Sequence, residues 1–263
     1  MTMPDVVDVT EVPNLENILR FLPIEPKDKG DIVNYVRNVT NLIAVNYKYE
    51  QYQFAYFGVH LLYMTYIYCT AWKIGKIKPA RYKDAIVFAR SYNGREHDFK
   101  IENIDSIFVY SLMPEKDIAK LFKIIELDNS QISMVGNLVD TRNEMAHASG
   151  IIEILNIEKY TANVSSVISS MNGIHKYMIS LIRNWYAQVL VRFCKGEYKD
   201  YKMPEDFIVE EMIPSYKLST NELLVCNEMS VRSLITEHRV YKTKLKAFKK
   251  AVTDYCQEMG YIT

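Results

Sequence analysis

Apolar positions recur at helical spacing along most of the chain. In DIVNYVRNVTNLIAVNY, Ile32, Tyr35, Val36, Val39 and Ile43 follow one another at intervals that keep them on one face, which predicts an amphipathic helix beginning near Asp31. A second predicted helix runs from about Tyr49 to Ile77 and stops at Pro79. Its central part, FAYFGVHLLYMTYIYCTAW (Phe54 to Trp72), holds about 19 uncharged residues, close to the length of a membrane span. A histidine, a glycine, two threonines and four tyrosines lower its hydropathy. A helix apolar on every face is also what the middle of a bundle requires, and that is the expectation here.

From Lys83 to Pro114 short apolar runs surround an Asn93-Gly94 dipeptide, leaving a loop, a short helix or a small hairpin open. Helical spacing resumes in EKDIAKLFKIIEL. After the cap candidates Asp128, Asn129 and Ser130 it continues in QISMVGNLVDTRNEMAHA, with Gly150 as a natural stop. Two further helices are predicted, Ile157 to Met171 and Ile174 to Cys194, joined at Asn172-Gly173. Beyond a linker in KGEYKDYKMPED, STNE (Ser219 to Glu222) reads as a capping box. The last helix is expected to carry a coiled-coil-like stripe of Leu234, His238, Tyr241, Leu245, Phe248, Val252 and Tyr255. The reading is an all-α chain: a proline-broken N-terminal extension over residues 1–30, a helical bundle over 31–195 and a C-terminal helical appendage over 196–263.

Composition narrows the function classes. Gly and Pro number 9 and 8 among 263 residues and 49% are hydrophobic, as in a helix-rich folded protein. A net charge of zero argues against a blanket affinity for nucleic acid or anionic membrane, so any RNA contact must be local. The exception is Arg232 to Lys250, with seven Lys or Arg against one Glu, read either as a solvated helix face or as a surface for phosphates or a partner. Cys69, Cys194, Cys226 and Cys256 are widely separated and are read as structural thiols. The acidic N-terminus lacks a secretory leader, which sets a cytoplasmic expectation. No histidine pair has ligand spacing, and no Gly-rich phosphate loop, GxSxG or HExxH occurs, so no metal or cofactor is expected.

The candidate chemistry lies in LVDTRNEMAHASG, Leu138 to Gly150. At about 100° per residue, Val135, Leu138, Val139 and Ala146 fall on the same side as Arg142, so the guanidinium emerges from the apolar stripe toward another element. Asn143 and His147 form an i, i+4 ridge beside it, with Asp140. An imidazole can take a proton from a 2′-hydroxyl or give one to a leaving 5′-oxygen, and an arginine can hold phosphoryl oxygens. Cleavage is easiest with two proton-transfer groups, which a two-fold dimer would supply.

RNEMAH at a helix end, in an all-α bundle, resembles the HEPN superfamily, whose signature is R-x(4 to 6)-H, often with Asn directly after the Arg. Two other Arg and His pairs have comparable spacing. Arg90 and His97 are separated by the Asn-Gly turn, and His238 of the Arg232 pair falls in an apolar stripe. Only Arg142 to His147 joins the following Asn to small residues, Ala146, Ala148, Ser149 and Gly150, that permit close approach of a partner. The resemblance implies a HEPN-like bundle with additional C-terminal helices and a metal-independent endoribonuclease acting as a homodimer. It implies Arg142, Asn143 and His147 as catalytic residues, RNA as substrate, and a toxin or antiviral-defence setting with an antitoxin or regulatory partner. Where the subgroup paired with nucleotidyltransferase antitoxins commonly has a Tyr two positions after the His, this chain has Ser149, which places regulation by tyrosine modification in doubt. The alternative is a non-catalytic HEPN-like interaction or regulatory module that uses the basic terminal stripe.

Overall fold

In a computed structural model, the structure describes residues 11–24, 31–87, 89, 99–146 and 155–262, and these are all-α. α1 (Leu15–Leu19) and α2 (Asp31–Lys48) precede α3 (Tyr52–Ile77), on which much of the bundle is laid. Nearly every side chain of α3 from Ala55 to Gly75 is buried, as its uncharged sequence requires. No described helix is long and apolar enough to cross a membrane. Glu50, in the left-handed region at φ 57°, turns the chain from α2 into α3. The two helices then approach so closely that a Cβ at Gly58 would lie 2.4 Å from Ile43 Cγ1, which is why that position has no side chain.

Pro79 opens α4 (Pro79–Ile86), where its missing N–H costs nothing. The Asn93-Gly94 turn lies outside the described residues. EKDIAKLFKIIEL is not one helix. α5 (Glu115–Ile118) passes into a 3₁₀ stretch, Ala119–Ile125, which ends at Glu126 with φ 65°. α6 (Asn129–Ala146) follows, and Gly150 lies outside the described residues.

The two helices expected on either side of Asn172-Gly173 are a single helix, α7 (Ile157–Cys194). The glycine serves packing rather than a turn: a Cβ at residue 173 would fall 2.0 Å from Gln131 Oε1, at the start of α6. α7 is fastened to α3 by the Tyr63 and Ser170 hydroxyls, 2.8 Å apart, and by Tyr66 donating to the Met171 carbonyl at 3.1 Å.

The far half of α7 carries the remaining helices. α8 (Pro204–Phe207) and α9 (Ile213–Tyr216) are joined by a π-helical segment, Ile208–Met212. Pro214 accounts for the widening, because it lacks an N–H and crowds the preceding turn. α10 (Thr220–Glu228) opens with both hydrogen bonds of the Ser219 and Glu222 capping box. The terminal stripe is interrupted: α11 (Arg232–Glu237) ends at His238, and a 3₁₀ turn, Arg239–Tyr241, separates it from α12 (Lys242–Glu258). Leu245, Phe248, Val252 and Cys256 are buried, and Phe248 meets Phe193 and Phe207 at ring separations of 5.0 and 5.9 Å. The apolar centre of the stripe is thus covered by the chain's own helices, not left for a partner.

Residues 11–24 bury Val12, Leu15, Ile18, Phe21 and Leu22 in the same core. They also bond the start of α10: Ile24 N–H donates to the Leu218 carbonyl at 2.7 Å, and Asn221 N–H donates to the Arg20 carbonyl at 3.1 Å. Beneath that contact Lys73 of α3 pairs with Glu222, with both side chains almost fully buried. All four cysteines are buried and free of disulfides.

Candidate functional site

α6 is positioned by its first turn. Asp128 Oδ1 accepts from the Gln131 N–H at 2.9 Å and the Ser130 hydroxyl at 2.7 Å, and Oδ2 accepts from the Tyr177 hydroxyl of α7 at 2.6 Å. The Tyr177 bond, followed by the bonds from Gln131 and Ser130, holds the Asp128 carboxyl down to about 2. From that anchor Val135, Leu138 and Val139 turn inward and are buried. Ala146, expected on the same side, is exposed.

Arg142 follows the buried stripe and emerges against α5. Its Nη2 donates to Glu115 Oε2 in an ion pair, with side-chain exposures of 27% for the arginine and 17% for the glutamate. A second pair of reversed polarity, Lys116 with Asp140, joins the same two helices at the surface. Asp140 of the predicted polar ridge is therefore bound to α5. On the other side of Glu115 stands His60 of α3, 2% exposed, with Nε2 3.5 Å from Glu115 Oε2. That distance is too long for a well-formed hydrogen bond. Burial raises the Glu115 carboxyl's pKa, but contact with His60 and then Arg142 outweighs it and holds the group below its ordinary value.

One helical turn before His60, Tyr56 is fully buried, and burial pushes its hydroxyl up to about 12 against the opposing pull of the Arg142 charge. Gln53, one turn earlier, donates to the Met145 carbonyl at 3.1 Å and ties the end of α6 to the start of α3. The result is a polar cluster between α3, α5 and α6, in which Arg142 and His60 stand against the Glu115 carboxylate and Tyr56 feels the Arg142 charge. Among the described residues, Arg142 Nε, both ring nitrogens of His60 and the Tyr56 hydroxyl are buried without hydrogen-bond partners. Groups left so typically cost about 1–3 kcal/mol each. The apolar recess of about 200 Å³ beside Tyr82, Ile86 and Ile101 shares no residue with this cluster.

Of the residues singled out from the sequence, the structure places Arg142 in this cluster and leaves Asn143 half-buried, while His147 lies outside the described residues. Tyr56, His60 and Glu115 were not anticipated. A signal for two of them exists: Gln53, Tyr56 and His60 are polar or amphipathic positions three and four apart in an otherwise apolar helix, a ridge that must meet something polar. Nothing local marks Glu115. Among the described residues no group of three or more His, Cys, Asp or Glu is placed to hold a metal ion. Compared with models of protein families, with curated proteins and with solved structures, the chain has no match.

Proposed function

We propose that the chain is a HEPN-like, metal-independent endoribonuclease acting in toxicity or antiviral defence, with a composite site formed by two copies. The supporting observation is the position of Arg142: it leaves the buried stripe of α6 near the helix end and already grips an anionic group, the Glu115 carboxylate. In this reading Arg142 binds the scissile phosphate and Asn143 orients the imidazole. His147 of one copy accepts the 2′-hydroxyl proton as the 2′-oxygen attacks phosphorus, and His147 of the other protonates the departing 5′-oxygen. A non-catalytic HEPN-like interaction or regulatory module is the second reading, and the same ion pair favours it, since a guanidinium bound to a carboxylate can serve as a structural bond.

Cleavage of total RNA in the presence of a chelator distinguishes the two. The wild type is expected to cut, and His147→Ala to cut slower by about 10²–10⁴-fold, the usual worth of an acid-base group. Equal cleavage by both proteins, or none by the wild type under any activating condition, sinks the nuclease reading.

A further inference from the structure

Glu115 stands where a phosphoryl group bound to Arg142 would stand. Carboxylate and phosphate are both oxyanions that a guanidinium grips with the same N–H groups, so one is a fair likeness of the other. If the pair served only to hold α5 against α6, its surroundings would be cheapest when apolar, because unpaired buried polar atoms cost free energy and add no bond. The surroundings are polar instead. His60 faces the carboxylate from α3, 2% exposed and with Nε2 3.5 Å from Glu115 Oε2, and Tyr56, one turn earlier and fully buried, feels the Arg142 charge; the Tyr56 hydroxyl, His60 Nε2 and Arg142 Nε have no hydrogen-bond partner among the described residues. The cluster thus holds polar atoms that the Glu115 carboxylate leaves without hydrogen bonds.

We propose that Arg142, His60 and Tyr56 form a binding recess for a phosphoryl group of RNA, and that Glu115 occupies it at rest as an internal mimic which the substrate displaces. The identity of the anion rests on the nuclease reading of Arg142; the recess does not. α5 suits the part, because it is four residues long, continues as a 3₁₀ stretch and is too short to hold its conformation without its contacts. Its opposite charge pair, Lys116 with Asp140, lies at the surface, where it contributes little and yields readily. The Glu115 side chain is already 17% exposed, so its exit leads to solvent. The exchange leaves Arg142 paired with one anion before and another after.

The test is binding of a short, uncleavable 2′-O-methyl RNA, with inorganic phosphate titrated separately to distinguish a free anion from a phosphodiester. Glu115→Gln keeps the shape of the side chain and removes the charge, and it is expected to bind the RNA about tenfold tighter than wild type. Adding Arg142→Ala should abolish that gain, and adding Tyr56→Phe or His60→Asn should each reduce it. Unchanged or weaker binding by a folded Glu115→Gln protein overturns the proposal. Should Glu115→Gln not fold, Glu115→Asp, whose carboxylate falls short of Arg142, should also bind tighter, and equal binding again overturns it. A gain seen only with inorganic phosphate overturns the assignment to RNA. Tighter binding by Glu115→Gln, with no cleavage of ordinary RNA by any form, keeps the recess and ends the nuclease reading. Cleavage that depends on His147, with binding unaltered in Glu115→Gln, keeps the nuclease and ends the recess.

Discussion

Lys73 lies in the last two turns of α3, and its ammonium is almost wholly removed from water. What makes that tolerable is Glu222, which performs two tasks at once: Oε2 accepts from Lys73 and, at 2.9 Å, from the backbone N–H of Ser219 that completes the capping box. Removing either partner leaves a charge buried alone. Lys73→Met and Glu222→Gln are each expected to cost about 3–5 kcal/mol, whereas the double replacement should recover much of that loss. Urea unfolding of the three variants, analysed as a double-mutant cycle, measures the coupling. The capping box was legible in STNE because its chemistry is local. The second partner of Glu222 was not, because 149 residues separate it from Lys73. The same holds at Arg142. Its emergence from an apolar stripe could be read from a periodicity of 3.6, while the carboxylate that meets it, 27 residues away on a four-residue helix, carries no pattern of its own.

Glycines in helices separate the elements that touch from those that do not. At Gly58 a methyl group would run into Ile43, a fully buried side chain with nowhere to retreat. At Gly136 of α6, beyond the helix's own backbone, nothing among the described residues lies within 4 Å of where a Cβ would be. Gly58→Ala is therefore expected to destabilise by about 1–3 kcal/mol through overpacking. Gly136→Ala should stabilise by roughly 0.5–1 kcal/mol, because alanine loses less backbone entropy in a helix. Thermal melts of the two variants would show opposite shifts. This distinction also explains the misreading of Asn172-Gly173. A glycine next to an asparagine reads as a turn from propensity alone, yet α7 continues through it, with the Gln131 side-chain amide lying against the glycine. Periodicity located α2, α3, α6 and the capped start of α10. It could not foresee the break at His238, since the spacing of Leu234 and Tyr241 fits a continuous helix equally well.

For the whole molecule, the question is whether the residues after the 195–204 linker are dispensable. Phe207, Met212, Ile213, Leu223, Phe248 and Val252 are buried, and α10 and α12 both pack on α7. A chain ending at Tyr201 would expose that face of α7 and leave Lys73 without Glu222. It is expected to lose cooperative unfolding and to precipitate where the full chain remains in solution, as circular dichroism melts and gel filtration would show. If instead it folded with an unchanged melting temperature, the C-terminal helices would be an independent unit. The prolines of the first 30 residues point to an irregular segment and hide the five core side chains that residues 11–24 supply.

The bonds from Arg20 and Ile24 to Asn221 and Leu218 also set an order of events during synthesis. A chain made from its N-terminus releases α1 and α3 long before the partners of both exist. Until residues 218–222 have emerged, Lys73 has no counter-ion and the segment around Phe21 has no strap, so the bundle cannot close over its own beginning. Whatever the folded bundle does, it can do only after residues 218–222 have been made.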